Sequence, residues 1–308
     1  MKLTKKKYVK ICILILLLFI AYPIVSEKLL TKKHTIETNG KTIVHQTVKS
    51  DLNGDGIDDT LYISLKDNIH YYMYSSLNNR DYDFKPSKKV NSLGLYSNDW
   101  PMTINLMDLD RNTIPEIIIQ SSEKDTSIQH IFKWTGEEFE DLFCSTNNIF
   151  GVVDSNNGKT PKIISFTLGD SLEAVQRHML LNKNLKNISY DNFEISGFNV
   201  VNQFIDIICL NYEISELPNI FTNYIASEDL SLIWKLDKDS FTYSFQDAFF
   251  RDISWDDKGN LKSCNWSLNF NKTNKNDPSL KTQINFNLTL ENIDNTFYIN
   301  SINLHSKN

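Results

Sequence analysis

Apolar and polar residues alternate over short runs through most of the chain, the period-two signature of a half-buried strand. TLYISL at 60–65 puts Leu61, Ile63 and Leu65 on one face, and HYYMYSSL at 70–77 follows after a Lys66-Asp67-Asn68 turn. EIIIQSS (116–122), QHIFKW (129–134), KIISF (162–166), HMLL (178–181) and LKNISY (185–190) continue the series. Their separators are rich in Asn, Asp and Gly, the residues of tight hairpins. SLEAVQRH at 171–178 is ambiguous between strand and a helical turn.

After Gly197 the period changes. Val200, Val201, Phe204, Ile205 and Ile208 form a stripe at helical spacing, predicting a helix over 200–212 capped by Asn199. Pro218, followed by Ile220, Phe221, Tyr224 and Ile225, predicts a second helix over 218–226. Long alternating runs then return: Phe241, Tyr243 and Phe245; Trp266, Leu268 and Phe270; Ile284, Phe286, Leu288 and Leu290. Asp256-Asp257-Lys258-Gly259 is the hairpin turn within them. Helices followed by an antiparallel sheet predict an α+β block over 198–308.

The N-terminus has its own pattern. Lys2, Lys5, Lys6, Lys7 and Lys10 precede Ile11–Val25, fifteen residues without a charge. With flanking residues the run is about 18 long, near the shortest helix that spans a bilayer. The lysines would hold the start of the chain in the cytoplasm. A cleaved signal peptide is the alternative; the lack of a small-x-small site before Glu27 favours an uncleaved anchor. The expected division is therefore 1–26 lysines and transmembrane helix, 27–40 linker, 41–197 repeat domain and 198–308 α+β domain.

One acidic stretch recurs. DLNGDGIDDTLYISL begins at 51, DLDRNTIPEIIIQS at 108 and DSNNGKTPKIISFT at 154. Each is an acidic or amide-rich loop running into a strand, and such spacing suggests an array of small sheets. D-x-N-x-D-G-x-x-D followed at once by a strand resembles the calcium loops of VCBS/FG-GAP repeats, the type found in integrin-like β-propellers. The resemblance covers roughly residues 45–190 and extends to QHIFKWTGEEFEDL at 129–142. Three units are too few for a closed seven-bladed propeller, so it implies a partial or small array.

The resemblance implies calcium as cofactor. In loop one its ligands would be Asp51, Asn53, Asp55, the carbonyl of Ile57, and Asp59, with Gly56 permitting the turn. Loop two aligns Asp108, Asp110, Asn112, the carbonyl of Ile114, and Glu116 as a weaker set. Loop three has Gly158 and Lys162 at the fifth and ninth positions, so its ligands are lost and Lys162 would supply a positive charge internally. An EF-hand needs an acid at position twelve and a following helix; that position is Tyr62, inside a strand pattern.

Charge narrows the partners. The chain carries −6, and because its first 26 residues hold five lysines and no acid, the remainder carries −11, which excludes nucleic acid. Cys144, Cys209 and Cys264 form no CxxC pair, and whether two of them bridge stays open. The motifs GxSxG, HExxH and GxGxxG are absent. SxxK at 121–124 ends a strand instead of opening a helix, and Gly158-Lys159-Thr160 lacks the upstream glycine of a P-loop. No catalytic residues are assigned.

The block 198–308 also resembles a nuclear transport factor 2-like cone, with Trp234, Trp255, Trp266, Phe249 and Phe250 as candidate pocket lining. The expectation is a mainly β plus α+β protein. It has one transmembrane helix and an extracellular, calcium-stabilised part that binds an envelope protein or glycan. A glycan hydrolase using paired carboxylates, or a small-ligand sensor, is the alternative.

Overall fold

The short strands run as antiparallel meanders, in which most strands pair with a chain neighbour. The computed structural model describes residues 36–38, 41–43, 46–171, 174–181, 184–189, 195–210 and 217–306. It divides into two units, 1–47 and 48–308. In the first, β1 (Ile36–Thr38) and β2 (Lys41–Ile43) form an antiparallel hairpin.

Two four-stranded meanders follow. Sheet A holds β3 (Gln46–Ser50), β4 (Asp59–Lys66), β5 (His70–Leu77) and β6 (Arg80–Asp83), in that order. Sheet B holds β7 (Thr103–Met107), β8 (Glu116–Glu123), β9 (Thr126–Trp134) and β10 (Phe139–Ser145). Asn78 and Asn79 turn the β5–β6 hairpin with φ of 50° and 63°, the left-handed pair that suits the twist of the strands.

A third meander follows: β11 (Ile149–Val153), β12 (Lys162–Phe166), β13 (Gln176–Leu181) and β14 (Asn184–Asn187). It is not a separate sheet. β11 pairs in parallel with β15 (Phe241–Trp255), which continues through β16 (Leu261–Asn274), β17 (Lys281–Ile293) and β18 (Thr296–Ser306). The resulting eight-stranded sheet C draws strands from both sides of residue 197.

Burial explains the stacking. Leu61, Ile63 and Met73 of sheet A pack on Ile117, Ile119 and Phe132 of sheet B. The opposite face of sheet B sets Ile118 and Ile131 against Phe150, Val152 and Ile163 of sheet C. Sheet B is thus covered on both faces, which is why its strand carries three consecutive isoleucines, each fully buried. The far face of sheet C packs Phe250, Trp266, Phe270 and Phe286 against helix α1 (Phe198–Cys209), through Val201, Phe204, Ile205 and Ile208.

The expected fold class is corrected on three points. Among the described residues strands make up 52% against two helices, so the described part is mostly β. No helix among the described residues is long and apolar enough to cross a membrane. Residues 1–26, where the transmembrane helix was expected, lie outside the described residues. The third repeat is fused edge to edge with the C-terminal strands instead of belonging to a separate array.

The helices shift as well. α1 starts at Phe198 after Gly197, whose φ is 78°, so a glycine and not Asn199 turns the chain into it. The 218–226 segment is no helix: Ile220 and Thr222 exchange backbone hydrogen bonds with Ile299 of β18, which satisfies them without helical pairing. The second helix, α2, is Ser227–Trp234, with Glu228 and Asp229 in its first turn.

Gly151 is where the third meander joins the long sheet. It lies opposite Phe250 in the parallel pair, and a Cβ there would stand 2.0 Å from the Phe250 ring. Gly151→Ala is expected to destabilise the fold by about 1–3 kcal/mol, the usual range for overpacking. Gly158→Ala, with nothing within 4 Å, should be near neutral. Urea unfolding of both variants beside the wild type checks the contrast.

Candidate functional site

The three acidic loops join the first and second strands of each meander: β3 to β4, β7 to β8, and β11 to β12. Every one of them presents carboxylates that need compensating charge, and the compensation differs from loop to loop.

Loop one spends its acids on its own backbone. Asp51 accepts the N–H groups of Gly54 at 2.7 Å and Gly56 at 2.8 Å. Asp55 accepts the N–H of Ile57 at 2.9 Å and the side-chain amide of Asn78 at 3.0 Å. Asp59 is buried and accepts the N–H of Leu52 at 2.9 Å. Burial raises the Asp59 pKa against the help of that N–H, and the carboxylates of Asp55 and Asp51 push it further up. The Asp55 pKa is lowered, chiefly by the Ile57 N–H and then by Asn53. Among the described residues, no lysine or arginine forms an ion pair with any of the three.

Loop two gathers its acids around a lysine. Oxygens of Asp108, Asp110 and Glu116 all lie within 4.8 Å of one another. Lys133 of β9 places its ammonium 2.7 Å from Asp110 and 2.6 Å from Glu116. Burial works against the charged lysine, but the two carboxylates outweigh it and its pKa is raised. Burial also raises Glu116, offset in part by Lys133 and the Leu109 N–H. Asp108 is occupied by the N–H groups of Asn112 and Thr113.

Loop three is filled from two directions. Lys162 pairs with the buried carboxylate of Asp154. Arg111 reaches across from loop two and sets Nη2, with its two N–H donors, among four carbonyls, those of Asp154, Ser155, Asn157 and Lys159, at 2.7 to 3.0 Å. A cationic nitrogen surrounded by carbonyl oxygens is what a bound cation would otherwise provide. Arg111 holds φ at 64° where loop one has Gly54 at the same position, a backbone conformation that a long side chain adopts only when its contacts compensate.

The loops touch in sequence. A Cβ on Gly54 would meet Ile114 of loop two at 2.7 Å, so loop one lies directly on loop two. Arg111 then ties loop two to loop three. Asp252 of β15, fully buried, accepts the N–H groups of Ser155 and Asn156 at 2.9 Å and the Trp255 indole at 2.6 Å.

Residues 51–119 match the FG-GAP-like repeat family. That span holds loops one and two. No curated protein matches the chain in sequence. Among solved structures, a triple arginine-to-alanine mutant of AofleA from Arthrobotrys oligospora is similar at a TM-score of 0.31 and 8% identity, over 85% of this chain and 57% of that one. An NTF2-like protein involved in plasmid conjugation is similar at 0.24 and 7% identity, over 68% of this chain and 78% of that one. The chain spans little more than half the length of the first, and neither score carries an argument about function.

The expected ligand residues thus fall into two arrangements. Asp108, Asp110 and Glu116 converge, with Lys133 already among them; Asp51, Asp55 and Asp59 are turned onto backbone N–H groups and form no such cluster. The expected aromatic pocket lining does not come together. Phe250 stacks on Trp266 inside the core, Phe249 stacks on Phe150 on the other face of sheet C, and Trp234 is exposed. Cys144, Cys209 and Cys264 are free thiols.

Lys133 and Arg111 were not among the residues singled out from sequence. The first had a signal, a lone lysine in the otherwise buried strand QHIFKW, which is costly unless paired. Lys133→Met is expected to cost about 3–5 kcal/mol in a chelator by leaving Asp110 and Glu116 buried without a counter-charge. Calcium should restore part of that loss, since the vacated oxygens suit a divalent ion. Thermal melts of the variant in EDTA and in calcium check both parts.

Proposed function

We propose that this chain is a calcium-stabilised interaction module on the outer side of the cell, binding an envelope protein or glycan and not catalysing a reaction. The observation that supports it best is the contrast among the loops. Loops two and three each carry an internal cation, whereas loop one, whose sequence fits the calcium pattern most closely, pairs with none among the described residues. The FG-GAP-like match over the same residues and the charge of −11 outside the first 26 residues suit an extracellular setting rich in divalent ions.

Asp51, Asn53, Asp55, Asp59 and the carbonyl of Ile57 would hold the ion, an all-oxygen donor set of the kind calcium takes. Calcium would supply the positive charge that relieves the crowding around Asp59. The chain's own part is positional. Asp51 gathers the backbone of residues 54–56, Gly54 rests on Ile114, and Arg111 carries the fixed geometry on to loop three. Ordering of one loop therefore steadies the whole rim.

A thermal melt of the full chain in EDTA and in calcium tests the reading, with Asp55→Ala beside the wild type. At calcium a hundredfold above its Kd the wild type should gain about 2.7 kcal/mol. The variant should gain far less. Equal midpoints with and without calcium in the wild type would sink the proposal.

A further inference from the structure

A polar cleft of about 360 Å³ opens at the other end of the sheets from the acidic loops. Loop two enters β8 at one end, and the Lys124-Asp125 turn that leaves β8 at the other forms part of the cleft wall. The remaining walls come from residues 97–100, from the β10–β11 connection at Thr146 and Asn148, and from Ser244–Gln246 and Asn271 of the long strands. The cleft is built where sheet B meets sheet C.

Its walls are prepared and not incidental. Trp100 lines it, half-buried, with its indole N–H donated to the buried carboxylate of Asp247, which Asn269 also holds at 2.8 Å. The pairing of β15 with β16 slips between Phe245 and Asp247, a bulge that re-aims Gln246. Gln246 then donates to the Asp99 carbonyl at 2.7 Å and accepts from Gln283 at 3.1 Å. Ser127 on the wall is 4% exposed, and its hydroxyl has no hydrogen-bond partner. Just behind it on the same face, Gln129 Nε2 and Gln120 Oε1 are buried without partners too. Such groups are rare and costly in a folded chain.

The chemistry of the lining selects the ligand. Hydroxyls and amides predominate, each able to donate and accept. Asp99 and Asp125 outnumber Lys124, which disfavours an anion. Among the described residues no group of three acids gathers here for a divalent ion. An apolar ligand would leave the hydroxyls and amides desolvated. What remains is a neutral polyol with one apolar face to lie against an indole. The volume falls within the usual range of small-molecule sites, about 300–1,000 Å³.

We infer that this cleft binds a neutral saccharide, with Trp100 as the platform and Ser127, Thr146, Asn148 and Asn271 meeting its hydroxyls. The inference names a partner class for the binding module proposed above, but its site is separate from the calcium loops.

The test is calorimetric titration of the full chain with glucose, galactose, N-acetylglucosamine and chitobiose, and with glucuronate as the charged control, in calcium and in EDTA. One or more neutral sugars should saturate and glucuronate should not. Ser127→Ala and Asn271→Ala should each weaken binding roughly tenfold, the effect of one lost hydrogen bond. Ser127→Ala should melt no lower than the wild type, because its hydroxyl has no partner to lose. Tighter binding of chitobiose than of N-acetylglucosamine assigns the cleft to a glycan chain, and equal binding assigns it to a free sugar; both uphold the inference. Saturation by none of the neutral sugars, or binding indifferent to both substitutions, overturns it. Sugar binding that survives in EDTA stands even if calcium leaves the melt unchanged, so the two readings fail separately.

Discussion

Carboxylates crowded at one end of a stack of sheets must be neutralised, and the fold depends on how that is done. Unpaired, Asp110 and Glu116 would be buried charges inside sheet B, whose two faces are already committed to its neighbours. An ion pair in such a place contributes little net stability, yet removing one partner costs several kcal/mol. Lys133 is therefore better understood as a condition for the loop to exist than as a source of surplus stability. Arg111 and Lys162 meet the same condition in loop three by other means. Loop one meets it with backbone N–H groups and the side-chain amides of Asn53 and Asn78, with no cation among the described residues, and Asp59 is left at a raised pKa.

The consequences run through the stack because no meander is independent. Sheet B has no solvated face, so any change in its loop end is felt by both neighbours. Gly54 against Ile114, Arg111 against the loop-three carbonyls, and Asp252 beneath Ser155 and Asn156 make one chain of contacts from loop one to β15. Gly151 closes the connection from within the sheet by admitting the Phe250 ring. Without a side chain at that position, β11 can lie alongside β15, and the third meander becomes half of a larger sheet.

Sequence exposes the parts of this that rest on local rules. β4, β5 and β12 are legible because alternation or a short buried run is bounded by turn residues, and the two-residue Asn78-Asn79 turn follows from side chains that tolerate positive φ. The acidic loops are legible from their spacing. What was not legible depends on contacts distant in sequence. β7 and β10 carry weak alternation and are fixed by pairing within sheet B. The parallel joint of β11 with β15 links residues about a hundred apart. The 218–226 segment has a helical pattern, but Ile299 takes up its backbone. Arg111 looks like an ordinary surface charge until the fold brings it onto a loop, and Lys133 shows in sequence only that it needs a partner, not which one.

The two ends of the stack now differ in kind, and the difference favours one division of labour. At the loop end, most carboxylate oxygens accept from backbone N–H groups or lysine and Arg111 takes up the loop-three carbonyls, which leaves Asp110 Oδ1 buried without a partner. Little donor or acceptor capacity is left there to recognise anything larger than an ion. At the opposite end, the cleft wall offers Ser127, whose hydroxyl has no partner, together with further hydroxyls and amides and a pinned indole. A rim with most of its bonds satisfied is suited to holding the sheets in register. A cleft with bonds to spare, formed where those sheets meet, is suited to recognition. Because the cleft walls come from both sheet B and sheet C, its shape depends on the register that the rim maintains.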